Sequence, residues 1–257
     1  MNPTHPTART AVVTGAASVR GIGFHTAARF VREGWAVVLL DVDEAGLARA
    51  AEALRETDAS ARVETHALDV TDPSAVRAVA DAVASGPLPP VGALCNIAGI
   101  PSPASFLEVS LEEWDRVLAV NLTGPFLLSQ AFAPQMVEAG YGRVVNMSSV
   151  TAQHGGGVFS KTAYAAAKAG VLGLTRGMAR ELAEHGITVN AVAPGVVDTD
   201  IRTGSDEETE RALAAAVPLR RQARPQEVAA LCVWLASEDA GYITGTTQSI
   251  NGGTYVA

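Results

Sequence analysis

Tyr164 and Lys168 stand four residues apart in Tyr164-Ala-Ala-Ala-Lys168, a spacing that puts a phenol and an ammonium on one face of a helix. Such a pair can handle the proton of a carbonyl reaction. A cation beside a phenol favours the phenolate, so Lys168 is expected to lower the Tyr164 pKa by ~1–3 units from a usual value near ~10. The ring would then both give and take a proton. The same spacing also arises when a solvated lysine flanks a half-buried ring, so the pair needs company before it carries an assignment.

Further segments supply that company. Thr14-Gly15-Ala-Ala-Ser18-Val-Arg20-Gly21-Ile22-Gly23 follows the apolar run Thr10-Ala-Val-Val13 and opens a helix-like stretch from Phe24 to Glu33. A glycine-rich turn between strand and helix lets the backbone approach a pyrophosphate, which the helix N-terminus attracts. Asp41 closes the strand-like Ala36-Val-Val-Leu-Leu40, where a carboxylate can bind the hydroxyls of an adenosine ribose. Cys95-Asn96-Ile-Ala98-Gly99 follows another apolar run, and Gly142-Arg-Val-Val-Asn146-Met-Ser148-Ser149 brings a hydroxyl to a strand end.

With Asp69-Val70, Asn121, Pro194-Gly195, Thr199, Tyr242-Ile-Thr-Gly245 and Asn251-Gly252-Gly253, this series resembles the short-chain dehydrogenase/reductase family from about Thr10 to the last residue. The spacing after Tyr164 is similar to that of the subgroup containing 3-oxoacyl-carrier-protein reductases. Two departures stand out. Five residues separate Gly15 from Gly21 where the family usually has three, and fifteen steps separate Ser149 from Tyr164, about two more than is common. The second points to an enlarged or mobile rim at His154-Gly-Gly-Gly-Val-Phe159.

The resemblance implies a catalytic set of Asn121, Ser149, Tyr164 and Lys168. In it Ser149 holds the substrate oxygen, Lys168 also bonds the nicotinamide ribose, and Asn121 anchors a water linking Lys168 to solvent. Ser148 is the competing serine, and strand-end alignment favours Ser149. The implied cofactor contacts are Gly15, Ser18, Arg20, Gly21, Ile22, Gly23, Asp41, Asp69, Val70, Asn96, Ala98, Gly99, Tyr164, Lys168, Pro194, Gly195, Val197 and Thr199. Asp41 and Arg20 pull cofactor choice in opposite directions. The carboxylate opposes a 2′-phosphate, whereas in relatives a basic residue before the second glycine often contacts one. Asp41 is expected to prevail because it is anchored at a strand end, making the cofactor NAD(H).

Composition agrees. The chain has 257 residues, 48% apolar and 18% charged, enough for one α/β domain with a full core. A formal charge of −8 disfavours a general nucleic-acid binder. No uninterrupted apolar run approaches the ~20 residues of a membrane span, and Met1 to Arg9 reads as a loose arm, so the location expected is cytoplasmic. Cys95 and Cys232 are too isolated for a disulfide framework or zinc site, and His25, His66, His154 and His185 show no metal spacing; no metal is expected. Only His154 borders the expected pocket.

Short β-branched runs alternate with helical stretches, the signature of βαβ units. Strands are expected at 10–14, 36–41, 62–67, 91–95, 142–148, 187–192 and 246–250. Helices are expected near 22–33, 43–57, 72–85, 110–138, 161–185 and 225–236. The resulting class is a single-domain Rossmann-type α/β fold over 10–257, a doubly wound parallel sheet of about seven strands flanked by helices. By resemblance a lid near 199–217 covers the pocket, with Ile201, Leu213 and Val217 inward. Pocket walls are expected at Ile100-Pro-Ser-Pro103, Gly155 to Phe159 and Val196. The implied reaction is hydride transfer between nicotinamide and a small-molecule secondary alcohol or ketone. One alternative is 3-oxoacyl-carrier-protein reductase, although an acidic carrier protein wants a basic docking face. Another is a nucleotide-sensing regulator without turnover. Small residues Ala165, Ala167, Ala169, Gly170 and Gly173 permit close helix approach, and a homotetramer is expected.

Overall fold

The computed structural model describes residues 8–157, 159–202 and 206–256. Seven strands, β1 (Thr10–Thr14), β2 (Ala36–Asp41), β3 (Val63–Ala67), β4 (Val91–Asn96), β5 (Gly142–Met147), β6 (Ile187–Pro194) and β7 (Thr247–Ile250), form one sheet. The strand order is β3-β2-β1-β4-β5-β6-β7, and every neighbouring pair is parallel. Parallel neighbours need crossover connections, which here are mostly helical. These include α1 (Ile22–Arg32), α2 (Glu44–Thr57), α3 (Pro73–Ser85), α4 (Leu111–Leu118), α5 (Gly124–Ala139), α6 (Thr151–His154), α7 (Thr162–Leu182), α8 (Glu207–Ala216) and α9 (Pro225–Ala236).

Side chains alternate across the sheet and divide the core in two. Ala11, Val13, Val37, Leu39 and Cys95 face α1, α2 and α9, where Phe30, Leu47, Leu54 and Cys232 meet them. Val12, Val38, Leu40 and Leu94 face the opposite layer, packing with Val76 of α3, Phe132 and Met136 of α5 and Ala179 of α7. The strand order reverses between β1 and β4. In sheets wound this way the crevice outside the strand C-termini at that reversal is where a ligand binds.

The helix expected over 110–138 is not α-helical throughout. A π-helical turn at Ala119–Thr123 separates α4 from α5. Asn121 sits within it, and its amide Nδ2 donates to the carbonyls of Val117 and Ile100 at 3.0 and 3.1 Å, while Oδ1 accepts from the Ile100 N–H at 3.3 Å. A polar side chain thus pairs backbone groups around the widened turn. By length and composition the run Leu111–Ala139 could cross a membrane, yet Leu128, Phe132 and Met136 are packed in the core.

Residues 1–7 of the expected N-terminal arm, 203–205 of the lid and Val158 of the rim lie outside the described residues. Arg9 is firmly placed. Its guanidinium lies 3.7 Å from the Tyr141 ring centre and pairs with Glu238 at 2.7 Å.

Candidate active site

The C-terminal ends of β4, β5 and β6 and the start of α1 surround a cavity of about 250 Å³. Its lining includes Ile22, Gly99, Ser149, Tyr164, Lys168, Pro194, Gly195, Val197 and Thr199, all of them residues singled out from sequence. Phe159, Val150, Val196, Ile201 and Leu213 make much of the wall apolar, and His154 and Gly157 contribute the rim. Of the segment Ile100 to Pro103, only Pro101 reaches the cavity; Ile100 packs with Val117 and Ala163 instead. Val217 is buried beneath Gly252 in a separate, smaller cavity.

α7 carries Tyr164 and Lys168 one turn apart, and β5 ends at the serines. Both serines line the cavity, but Ser148 Oγ donates to the Lys168 carbonyl at 2.9 Å, whereas Ser149 hydrogen-bonds Tyr164. The two hydroxyls therefore have different partners, and the one favoured by strand-end alignment is the one bonded to the phenol. Lys168 is 2% exposed, donates to the Met147 carbonyl at 2.8 Å, and lies 5.5 Å from the Tyr164 ring centre.

The expected drop in the Tyr164 pKa does not occur. Burial pushes the phenol up to about 12, with the Ser149 hydrogen bond pulling more weakly in the other direction. Burial also brings Lys168 down to about 7. Desolvation disfavours both charged forms; helical spacing fixes proximity but says nothing of the surrounding medium.

Gly99 sits where these groups converge. A Cβ there would stand 2.7 Å from Asn121 Oδ1 and 3.4 Å from Lys168 Nζ, so the backbone passes between them only as glycine. Gly15 adopts φ +66°, and a Cβ on it would come within 2.9 Å of Ala98 Cα. Thr14 fastens the same region: its Oγ1 accepts from the N–H groups of Ile97 and Ala98 at 2.9 Å each.

The dinucleotide half of the cleft is equally defined. α1 follows Gly21, which offers no side-chain cap, and has no acidic residue in its first turn. Its N-terminal N–H groups therefore suit an anion such as a pyrophosphate. Asp41 is held by two backbone donors, Ala17 N to Oδ2 at 3.1 Å and Asp43 N to Oδ1 at 3.2 Å. Asp69 accepts from the Thr71 N–H and hydroxyl at 2.9 and 2.7 Å, and Val70 packs beside Gly124. These residues fit a nicotinamide dinucleotide.

Two side chains go elsewhere. Asn96 donates inward to Ser129 Oγ and Asn146 Oδ1 at 3.1 and 2.8 Å, tying β4 to β5 and α5, so its amide nitrogen serves the sheet core. Arg20 turns across to Asp198 and Asp200, at 3.1 and 3.4 Å. Sequence reasoning did not single out Thr14, the Met147 carbonyl, Asp198 or Asp200. Each acts through a partner far along the chain, and no local spacing signals that.

Comparison with known proteins now places the chain. A family model described as enoyl-(acyl carrier protein) reductase matches residues 15–255. An uncharacterized short-chain type dehydrogenase/reductase of Sinorhizobium fredii is 40% identical over 250 residues, covering 96% of this chain and 98% of that protein. The (3R)-3-hydroxyacyl-CoA dehydrogenase of Rattus norvegicus is 37% identical, over 96% of each chain. Among solved structures, a 3-oxoacyl-[acyl-carrier protein] reductase with bound NAD from Brucella melitensis superposes with a TM-score of 0.87 at 35% identity, covering 97% of this chain and 92% of that one. The chain belongs to the short-chain dehydrogenase/reductase family, resembling its 3-oxoacyl-carrier-protein reductase subgroup. It is an oxidoreductase acting on CH–OH groups with a nicotinamide cofactor.

Proposed function

We propose that this chain transfers a hydride between NAD(H) and a secondary alcohol or its ketone, with 3-oxoacyl thioesters as the foremost ketone class. The observation that carries the chemistry is the convergence of Ser149, Tyr164 and Lys168 on one largely apolar-walled cavity. When bound, the nicotinamide supplies the hydride to the carbonyl carbon, or takes it from the alcohol. In reduction, Tyr164 gives its phenolic proton to the carbonyl oxygen as the C=O bond becomes a single bond. A phenol near pKa 12 is protonated at neutral pH, as a donor must be. Ser149 Oγ holds the same oxygen beside the phenol and stabilises the charge developing there. Lys168, near pKa 7, exchanges its own proton readily at neutral pH and so replenishes Tyr164. Asn121 positions the Ile100 backbone and the widened turn against these groups.

Preference for NAD rests on Asp41. Two backbone donors fix its carboxylate facing the glycine-rich loop, and a 2′-phosphate brought against it costs several kcal/mol. Arg20, the residue that would offset that repulsion, is engaged by two aspartates. The NAD bound in the Brucella structure is consistent with this reading. Thioesters are favoured by the names of the relatives, and the formal charge of −8 favours a small thioester over an acidic carrier protein.

The test is kcat/KM for acetoacetyl-CoA, a 3-oxoacyl carrier protein and a cyclic ketone, each with NADH and NADPH, in wild type and Asp41→Ala. Turnover with NADH preferred, and a ratio that narrows or reverses in the variant, is expected. No turnover of any ketone refutes the reaction, whereas an NADPH preference in wild type or an unchanged ratio refutes the role of Asp41.

A homotetramer working in the cytoplasm completes the proposal. Phe126, Val137, Met178 and Leu182 line an apolar groove between α5 and α7, and Gly173 and Gly177 have open space where a side chain would stand. Gly170 packs on Leu122 within the subunit instead.

A further inference from the structure

The glycine-rich loop and the segment after β6 are joined by side chains about 180 residues apart in sequence. Ser18 Oγ donates to Asp200 Oδ2 at 2.6 Å, Arg20 Nη2 meets Asp198 Oδ1 at 3.1 Å, and Arg20 Nε meets Asp200 Oδ1 at 3.4 Å. The segment carrying the aspartates has a two-residue alternation. Val197, Thr199 and Ile201 line the active-site cavity, while Asp198 and Asp200 reach back to the loop. Asp198 is itself anchored, its N–H donating to the Ala223 carbonyl at 3.0 Å. On the other side these contacts end at Arg20, two residues before Ile22, which lines the same cavity and opens α1. The polar contacts therefore cross the cleft between the uncapped helix start and the cavity wall. The loop that makes them is the one with five residues between its first two glycines.

We propose that Ser18, Arg20, Asp198 and Asp200 form a strap that gates exchange of the nicotinamide cofactor, closing across the dinucleotide cradle and parting for entry and release. This rests on the cofactor assignment, though not on the choice between NAD and NADP. The side chains of Arg20, Asp198 and Asp200 remain 62%, 66% and 45% exposed. Exposed pairs of this kind are individually weak and screened by salt, which suits a contact that opens on every catalytic cycle. A gate slows passage both ways, unlike a simple contact to the bound molecule, which slows departure alone.

Stopped-flow fluorescence of NADH and NADPH binding, in wild type and in the double variant Asp198→Asn/Asp200→Asn, separates these cases. Removing the aspartates is expected to raise association and dissociation rates together, by about three- to tenfold for exposed pairs, with Kd changing less than either rate. Added salt should accelerate dissociation in wild type and have a smaller effect in the variant. Ser18→Ala, which removes the hydrogen bond and leaves both carboxylates in place, should move both rates in the same direction by a smaller factor. Unchanged rates overturn the gate. So does faster dissociation with unchanged association, which would make the strap an ordinary binding contact. Slower dissociation would show that the aspartates merely repel the phosphates. Failure of wild type to bind either dinucleotide would overturn the cofactor assignment and the strap together. Circular dichroism of the variants confirms the fold on which these rates are read.

Discussion

Replacing Lys168 by methionine removes a buried ammonium while keeping most of its volume. The side chain is 2% exposed and burial lowers its pKa from 10.5 to about 7. The folded chain thus holds this proton more weakly than the unfolded chain does. The resulting penalty to stability is full below pH about 7, declines as pH rises toward 10.5, and vanishes above that. At ~1.4 kcal/mol per unit, the gap amounts to on the order of 5 kcal/mol at pH 6 and about 2 kcal/mol at pH 9. Methionine also loses the hydrogen bond to the Met147 carbonyl, a loss of ~1–3 kcal/mol at every pH. The difference between the two pH values isolates the charge. Urea unfolding of cofactor-free protein, followed by circular dichroism, should show Lys168→Met more stable relative to wild type at pH 6 than at pH 9, by roughly 2–3 kcal/mol. Turnover should be lost in the same variant. An equal effect at both pH values, or a larger gain at pH 9, would refute the claim that burial of a charged lysine is what the fold tolerates here.

Tyr164→Phe should leave NADH affinity near wild type, by fluorescence titration, and reduce turnover by on the order of 10² or more; undiminished turnover removes Tyr164 from the proton transfer. Light scattering at micromolar concentration should return a tetramer mass, and a monomer mass would leave the α5 and α7 groove without the partner copy proposed for it.

Much of the fold was legible because its signals are local. Each strand run ends at a turn, and the alternation of Val12 and Val13 between two cores follows from strand geometry alone. Ser149 was separable from Ser148 by counting along one strand. The π-helical turn was not legible, since residues 119–123 have ordinary helical composition and the widened turn is held by contacts to Ile100 from another segment. The pKa values of Tyr164 and Lys168 escaped for a related reason: the residue types fix the chemistry, but burial comes from the whole assembly. The direction of the Asn96 amide was not legible either, because a strand-end position does not fix it, and the structure turns it toward Asn146. Asp198 and Asp200 look like loop residues until the glycine-rich loop is folded against them.

The widened turn at Ala119–Thr123 also bears on how this chain can change length. The widened turn can give up one residue by closing to an ordinary α turn, but an α-helix advances about 100° per residue, so any further loss would turn all of α5 by about that angle relative to α4. Leu128, Phe132 and Met136 would then swing out of the sheet contact together. No neighbouring loop could absorb the change, because the helical run is unbroken from Leu111 to Ala139. The stretches between Gly15 and Gly21 and between Ser149 and Tyr164 are different: extra residues there lengthen a surface crossing and leave the core in register. Insertions and deletions are thus channelled toward the rim of the cleft, and variation in length becomes variation in what the cleft admits.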